Sequence, residues 1–294
     1  MIRIPESDRL FRFINYAFLC FILIIVLYPL VFVLSASVSD PALLLKGQVW
    51  LLPKGFNLDS YARVFRNKEI LTGYLNTIKY TVVGTAINVL LTIMAAYPLS
   101  RKDFVGRGLL SAFMVFTMFF SGGLIPTFLL VRDLGLYNTM WALILPSAVS
   151  VWNITITRTF FQTSVPFEIQ EAAMIDGCSN IGILVRIVMP LSLPIILVMI
   201  MFYSVGHWNS FFNALIYLTD RAKYPLQVIL REILIQDNLS EMINVFDEGV
   251  IRQMLLAEGL KYAVVVVANL PVFLIYPFIQ KYFSKGVTVG GLKG

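Results

Sequence analysis

Residues 168–180 and 203–213 hold most of the polar chemistry that this sequence sets among apolar surroundings. In the first stretch Glu168, Glu171 and Asp176 offer fixed charge beside the small residues Ala172 and Ala173, and Gly177 is a natural stop for a short helix. In the second, Tyr203, His207 and Ser210 recur at i, i+4, i+7, and Gly206, Asn209 and Asn213 at i, i+3, i+7. Two adjacent helical stripes therefore offer amides, a hydroxyl and an imidazole. This is hydrogen-bonding chemistry suited to a hydroxyl-rich solute, with Tyr203 and Trp208 as aromatic faces on which a sugar ring can stack. The same pattern also serves to bond one membrane helix to another. Asn88, Asn153 and Thr157 are weaker instances of it.

Chemistry of other kinds is missing. No His-Glu-x-x-His helix, Gly-x-Ser-x-Gly elbow or Gly-x-x-x-x-Gly-Lys-[Ser/Thr] phosphate loop occurs, so no catalytic residue is assigned. Between their flanking charges the apolar stretches hold one titratable side chain of interest, His207, and no carboxylate relay. Cys20 and Cys178 form neither a disulfide framework nor a metal knuckle, and no metal ligand set is assigned. Any uphill transport by this chain must draw its energy from another polypeptide.

The elements that position these residues are apolar helices. Of 294 residues 58% are hydrophobic and 14% charged, and the mean hydropathy is +0.80, far from a soluble domain. The chain reads as an all-α membrane protein. A spanning helix needs roughly 20 mostly apolar residues, and six stretches meet that requirement, about 13–37, 74–99, 108–131, 139–161, 189–218 and 259–283. The first follows Arg3, Arg9 and Arg12 like a secretory signal, but its apolar run exceeds the roughly 7–15 residues of a signal core, so it reads as an uncleaved anchor. The net charge of +6 reflects orientation and anionic headgroups rather than nucleic acid, since no basic run with interleaved aromatics occurs. Arg101, Lys102 and Arg107 in the short loop after the second stretch, with the basics after Tyr282, favour both termini inside. Residues 168–180 are then cytoplasmic, too polar to span and too regular for a loop. By periodicity alone they fit an interfacial amphipathic helix as well as a docking knob.

Glu171-Ala172-Ala173, three residues, Gly177, nine residues, Ile187, one residue and Met189-Pro190 resemble the EAA loop of permease subunits of binding-protein-dependent ABC importers. The one departure is Met189 where that family has Leu, a volume-conserving swap. Ala96 to Arg101, Leu134-Gly135-Leu136, Ala142 to Pro146, Asp176-Gly177-Cys178, Trp208-Asn209 and the tail from Lys285 extend the resemblance over roughly 75–294. These segments are similar to the carbohydrate-uptake branch, and within it to the maltose-permease-like second subunits grouped with lipo-oligosaccharide and complex-polysaccharide permeases.

The resemblance implies six transmembrane helices with a cytoplasmic coupling helix between the fourth and fifth. It implies a cytoplasmic N-terminus over 1–12, a transmembrane domain over 13–283 with the coupling loop at about 162–189, and a cytoplasmic tail over 284–294. Glu171, Ala172, Ala173, Asp176 and Gly177 would couple to an ATPase, and Lys285, Gly286 and Gly290 would contact it from the tail. The implied partners are a second permease subunit, two ATPase subunits that bind ATP and Mg, an extracytoplasmic solute-binding protein, membrane lipid and an oligosaccharide. No cofactor is expected in this chain itself, and the location is a bacterial cytoplasmic membrane, crossed several times. Tyr203, His207, Trp208, Asn209 and Asn213 are the expected solute path. The basic residues Lys46, Lys54, Arg63 and Arg66 would dock an acidic binding protein or steer an anionic sugar. Two other readings of the residues stay open, a stand-alone channel or facilitator and an importer of a non-sugar solute.

Overall fold

The computed structural model describes residues 6–241, 255, 257–274 and 277. In chain order the helices are α1 (Glu6–Ser37), α2 (Pro41–Leu45), α3 (Asp59–Arg66), α4 (Lys68–Ser100), α5 (Arg107–Phe119), α6 (Leu124–Asp133), α7 (Trp141–Ile144), α8 (Val151–Ser164), α9 (Phe167–Ile175), α10 (Asn180–Ile183), α11 (Met189–Leu191), α12 (Leu193–Trp208), α13 (Phe212–Tyr217) and α14 (Leu226–Glu241). A further helix, α15, covers Ala257–Leu274. No strand occurs among the described residues. The chain divides into two compact units, one drawn from Met1–Ile70 and Leu230–Asn269, the other from Leu71–Ile229 and Leu270–Gly294.

Three helical segments, Arg9–Ser37, Lys68–Ser100 and Ala257–Leu274, are long and apolar enough to cross a membrane. Two more candidates are bent pairs, α5 with α6 at 111° and Asn180–Leu191 with α12 at 83°. Proline and glycine account for the breaks. Gly122 and Gly123 part α5 from α6, and Gly123 has φ 84°, which a side chain resists. Before α12, Pro194 lacks an N–H and its ring opposes the carbonyl of Pro190, so the helix cannot run through Ser192. The stretch 139–161, expected as one span, is interrupted by a 3-10 turn at Leu145–Ser147, with Pro146 inside it, and restarts at α8 where the Ser150 hydroxyl accepts from the Asn153 N–H at 3.4 Å. The stretch 189–218 likewise ends its long helix at Trp208 and resumes in α13.

In the first unit α1 is apolar all round, and none of its most apolar 18-residue window is buried. A helix of that kind meets lipid or another polypeptide. Its C-terminal end is fixed by polar bonds: Ser35 donates to the Leu51 carbonyl at 2.5 Å and the Tyr61 hydroxyl to Ser37 at 2.8 Å. Asp40 then caps α2 by accepting from the Ala42 N–H at 2.8 Å, with Pro41 preset at the first helical position. Gly259 in α15 lies so close to Pro41 and Ser60 that no side chain fits there.

The second unit carries the candidate residues of 168–180 and 203–213. One cluster gathers Ile93, Ala96 and Tyr97 of α4, Ile154 and Phe161 of α8, Ile183 of α10 and Ile195, Met199 and Tyr203 of α12. Another joins Tyr80 to Val131, Leu143, Ala214, Tyr217 and Val228. Asn76 donates to the carbonyls of Ala222 and Tyr224, and Thr77 accepts from the Leu226 N–H at 2.8 Å, so the start of α14 is held against α4 by backbone groups.

Candidate functional site

Ser147, Phe202, Tyr203, Gly206, His207, Ser210 and Asn213 line an open cavity of about 280 Å³. Tyr203 and His207 share a face of α12, and the turn after Trp208 brings Ser210 and Asn213 to the same space although the helix has ended. Two of the expected path residues are turned elsewhere. Trp208 is buried edge-on against Tyr74, with ring centroids 5.6 Å apart. Asn209 is exposed, donates to the Val205 carbonyl at 3.0 Å, and accepts from Gln227 at 3.3 Å.

The cavity's polar groups are anchored on α4. The Tyr203 hydroxyl is 2.7 Å from Thr92 Oγ1, in a buried pair. His207 Nε2 is 2.7 Å from Asn88 Oδ1, and Asn88 Nδ2 donates to the Ser147 carbonyl, also at 2.7 Å. Asn88 is fully buried, and it links α4, the turn before α8 and α12. Gly84, one turn earlier on α4, makes the approach possible, because a Cβ there would sit 2.5 Å from His207 Nε2. In sequence the signal was Gly84, Asn88 and Thr92 at i, i+4, i+8, a small and polar stripe in an apolar helix. Asn153 and Thr157 are buried in α8, where Thr157 donates to the Asn153 carbonyl at 2.8 Å.

The second cluster surrounds residues 167–191. Helix α9 ends in a left-handed turn: Gly177 has φ 78°, its N–H donates to the Met174 carbonyl at 3.0 Å, and the Cys178 N–H to the Ala173 carbonyl at 2.9 Å. Ser179 at once caps α10, accepting from the Gly182 N–H at 3.2 Å. Two short helices are thus joined by a tight, hydrogen-bonded corner. Glu171, Ala172, Asp176 and Ile175, the last 86% exposed, face outward. Ala173 and Met174 face the other way and pack on the core. The alanine pair is therefore split between the two sides, which helical spacing alone did not separate.

What seats this corner is Arg101, buried at the end of α4. Its guanidinium donates to both oxygens of Asp103, at 2.9 and 2.7 Å, to the Tyr97 hydroxyl at 3.2 Å and to the Met174 sulfur at 3.2 Å. The hydrogen bond to Asp103 raises the Arg101 pKa further and holds the Asp103 carboxyl below its ordinary range. Lys102 sits 5.5 Å from the centre of the Phe167 ring. Lys285, Gly286 and Gly290, the expected tail contacts, lie outside the described residues.

Residues 88–289 match the family described as binding-protein-dependent transport system inner membrane component. The polygalacturonan/rhamnogalacturonan transport system permease protein YtcP of Bacillus subtilis (strain 168) is 42% identical over 293 residues, covering 98% of this chain and 100% of that protein. Protein LplC of the same organism is 42% identical over 289 residues, covering 98% and 97%. Among solved structures, a bacterial ABC transporter involved in the import of the acidic polysaccharide alginate superposes with a TM-score of 0.87 at 32% identity, covering 96% of this chain and 100% of the matched one.

Proposed function

The chain belongs to the binding-protein-dependent transport system inner membrane component family, and on that premise we propose that it is one of two permease subunits of an ATP-driven importer carrying oligosaccharides released from a polysaccharide, acidic ones among them. Membership makes it a membrane-embedded transport component of ABC sugar and polysaccharide importers rather than an enzyme. The finer reading comprises six spans, both termini inside, a partner permease, two ATPase subunits that bind ATP and Mg, and a solute-binding protein outside. The chain needs no cofactor of its own.

The observation that carries the coupling part is the corner at Gly177. A handle that transmits a rigid-body movement must be stiff within itself and firmly seated. The two terminal backbone bonds of α9, the Ser179 cap and the Arg101 to Met174 contact supply both. Glu171 and Asp176 leave fixed charge on the outer side, where a partner's donors can reach them. The relatives' names, one with polygalacturonan and rhamnogalacturonan and another with alginate, support the polysaccharide reading and its acidic branch.

The test is made on the purified, reconstituted complex. Glu171→Ala should leave the subunits assembled and ATP hydrolysed while uptake of a uronate oligosaccharide fails. Wild-type uptake by that variant would defeat the coupling reading. For topology, Ser179→Cys in a background lacking Cys20 and Cys178 should react with an impermeant thiol reagent only in broken or inverted membranes. Labelling in intact cells would reverse the orientation.

A further inference from the structure

We propose that Asn88 is a positioning residue that fixes the tautomer of His207, so that the cavity meets its solute there with an uncharged nitrogen acceptor, Nδ1, which takes a sugar hydroxyl and turns away a carboxylate. The inference rests on the reading of the cavity as part of the solute path.

Ser147 sets the first constraint. Its carbonyl can only accept, and it lies 2.7 Å from Asn88 Nδ2, so that side of the amide is the NH2 group. The other side, 2.7 Å from His207 Nε2, is then the amide oxygen, which can only accept. His207 Nε2 must therefore carry the hydrogen. Backbone geometry at Ser147 thus dictates, through a fully buried asparagine, which ring nitrogen is protonated.

No Asp, Glu, Lys or Arg lines the cavity among the described residues, and Tyr203 is its other titratable group, already 2.7 Å from Thr92. Nothing there compensates a second imidazole proton, so the ring is neutral. The Nε2, Cε1 and Cδ2 edge of the ring lies over Gly84, in the space a Cβ there would fill, and Asn88 holds Nε2, while Nδ1 has no hydrogen-bond partner among the described residues. An unprotonated nitrogen accepts from a hydroxyl and has nothing to offer a carboxylate, whose oxygens are also acceptors. If the cargo is acidic, this subunit holds it by its hydroxyls, and its carboxylates are met by groups outside this cavity.

His207 is the chain's single histidine, so the proposal can be read directly. In the reconstituted complex labelled with 15N-histidine, the spectrum that disappears in His207→Gln should show a protonated Nε2 and an unprotonated Nδ1. A protonated Nδ1 in the wild-type complex, alone or with Nε2, would overturn the role given to Asn88 and leave the path reading standing. Asn88→Asp supplies the contrary case, because a carboxylate at this position supports an imidazolium, which adds an Nδ1–H donor. That variant should show a doubly protonated ring and shift the uptake ratio of uronate to neutral oligosaccharide upward by about tenfold, the worth of one hydrogen bond gained. A ring unchanged in Asn88→Asp would overturn the positioning role. A doubly protonated ring with an unchanged uptake ratio would instead remove His207 from the solute path.

Discussion

Arg101 Nη2 donates to the sulfur of Met174 at 3.2 Å, and so the residue just past α4 is bound to the last turn of α9. The same guanidinium grips both oxygens of Asp103, so one buried side chain holds the loop after α4 and seats the corner at Gly177.

Replacing Arg101 should loosen both. Arg101→Ala is expected to lower the stability of the purified complex by about 1–2 kcal/mol, because several hydrogen bonds go and Tyr97 and Met174 lose a packed neighbour. Arg101→Lys should recover little, since an ammonium cannot reproduce the two-pronged grip on Asp103. Thermal midpoints of the three complexes decide it, and a lysine variant as stable as wild type would refute the argument. The Asp103 pKa is lowered in the folded chain, so its contribution is present above the unfolded carboxyl value and is lost as pH falls through the folded one. The midpoint difference between wild type and Asp103→Asn should therefore persist at neutral pH and close as pH drops below about 4.

Gly177 separates backbone geometry from surface chemistry. Its φ of 78° strains any side chain, yet a Cβ there would meet nothing within 4 Å. Gly177→Ala should thus cost only the left-handed strain, about 1 kcal/mol, and leave coupling measurable. Gly177→Asp adds a further carboxylate to an outer side that already carries Glu168, Glu171 and Asp176, and should uncouple ATP hydrolysis from uptake more severely. Equal uptake by the two variants would mean that the corner's shape alone matters.

The features legible in the sequence were those set by local rules. The stop at Gly177 and the shared face of Tyr203 and His207 follow from helical period and glycine, and the spacing from Glu171 to Pro190 was legible as a resemblance to a family pattern. What escaped was decided by distant partners or by proline in context. Periodicity put Gly206, Asn209 and Asn213 on one stripe, but the helix ends at Trp208, and Asn209 bonds Val205 and Gln227 while Gly206 and Asn213 line the cavity. Trp208 is drawn to Tyr74, far away in the chain. Asn88 looked like a minor polar residue until folding set it between Ser147 and His207. The bend before α12 follows from the Pro194 ring meeting the carbonyl of residue 190, although a proline near a helix start is by itself ordinary.

Asn209 and Asn213 test that correction. Asn213 lines the cavity, whereas Asn209 is exposed and bonded to Val205 and Gln227. Asn213→Ala should reduce uptake of a transported oligosaccharide by about tenfold, the worth of one hydrogen bond, while Asn209→Ala changes it by less than about twofold. Rates measured in proteoliposomes with the solute-binding protein saturating would settle it, and the reverse ranking would place the path on the other side of α12.

The bond between Tyr203 and Thr92 allows a test in which position and solute contact can be told apart. Both groups are buried, and they lie 2.7 Å apart. Tyr203→Phe leaves the Thr92 hydroxyl without its partner, and Thr92→Val does the same to the tyrosine, so each should cost about 1 kcal/mol. Hydrogen bonds between membrane helices average nearer about 0.6 kcal/mol, so the lower end is expected. The double variant removes donor and acceptor together and should be destabilised by less than the two single costs added. Thermal unfolding of the four complexes gives this coupling, and strictly additive shifts would show that the pair contributes no interaction. Uptake supplies the second reading. Because Tyr203 also lines the cavity, Tyr203→Phe should slow transport even in the Thr92→Val background, where the loss of the internal bond has already been made. If the double variant transports no more slowly than Thr92→Val alone, the tyrosine hydroxyl serves only to hold α12 against α4.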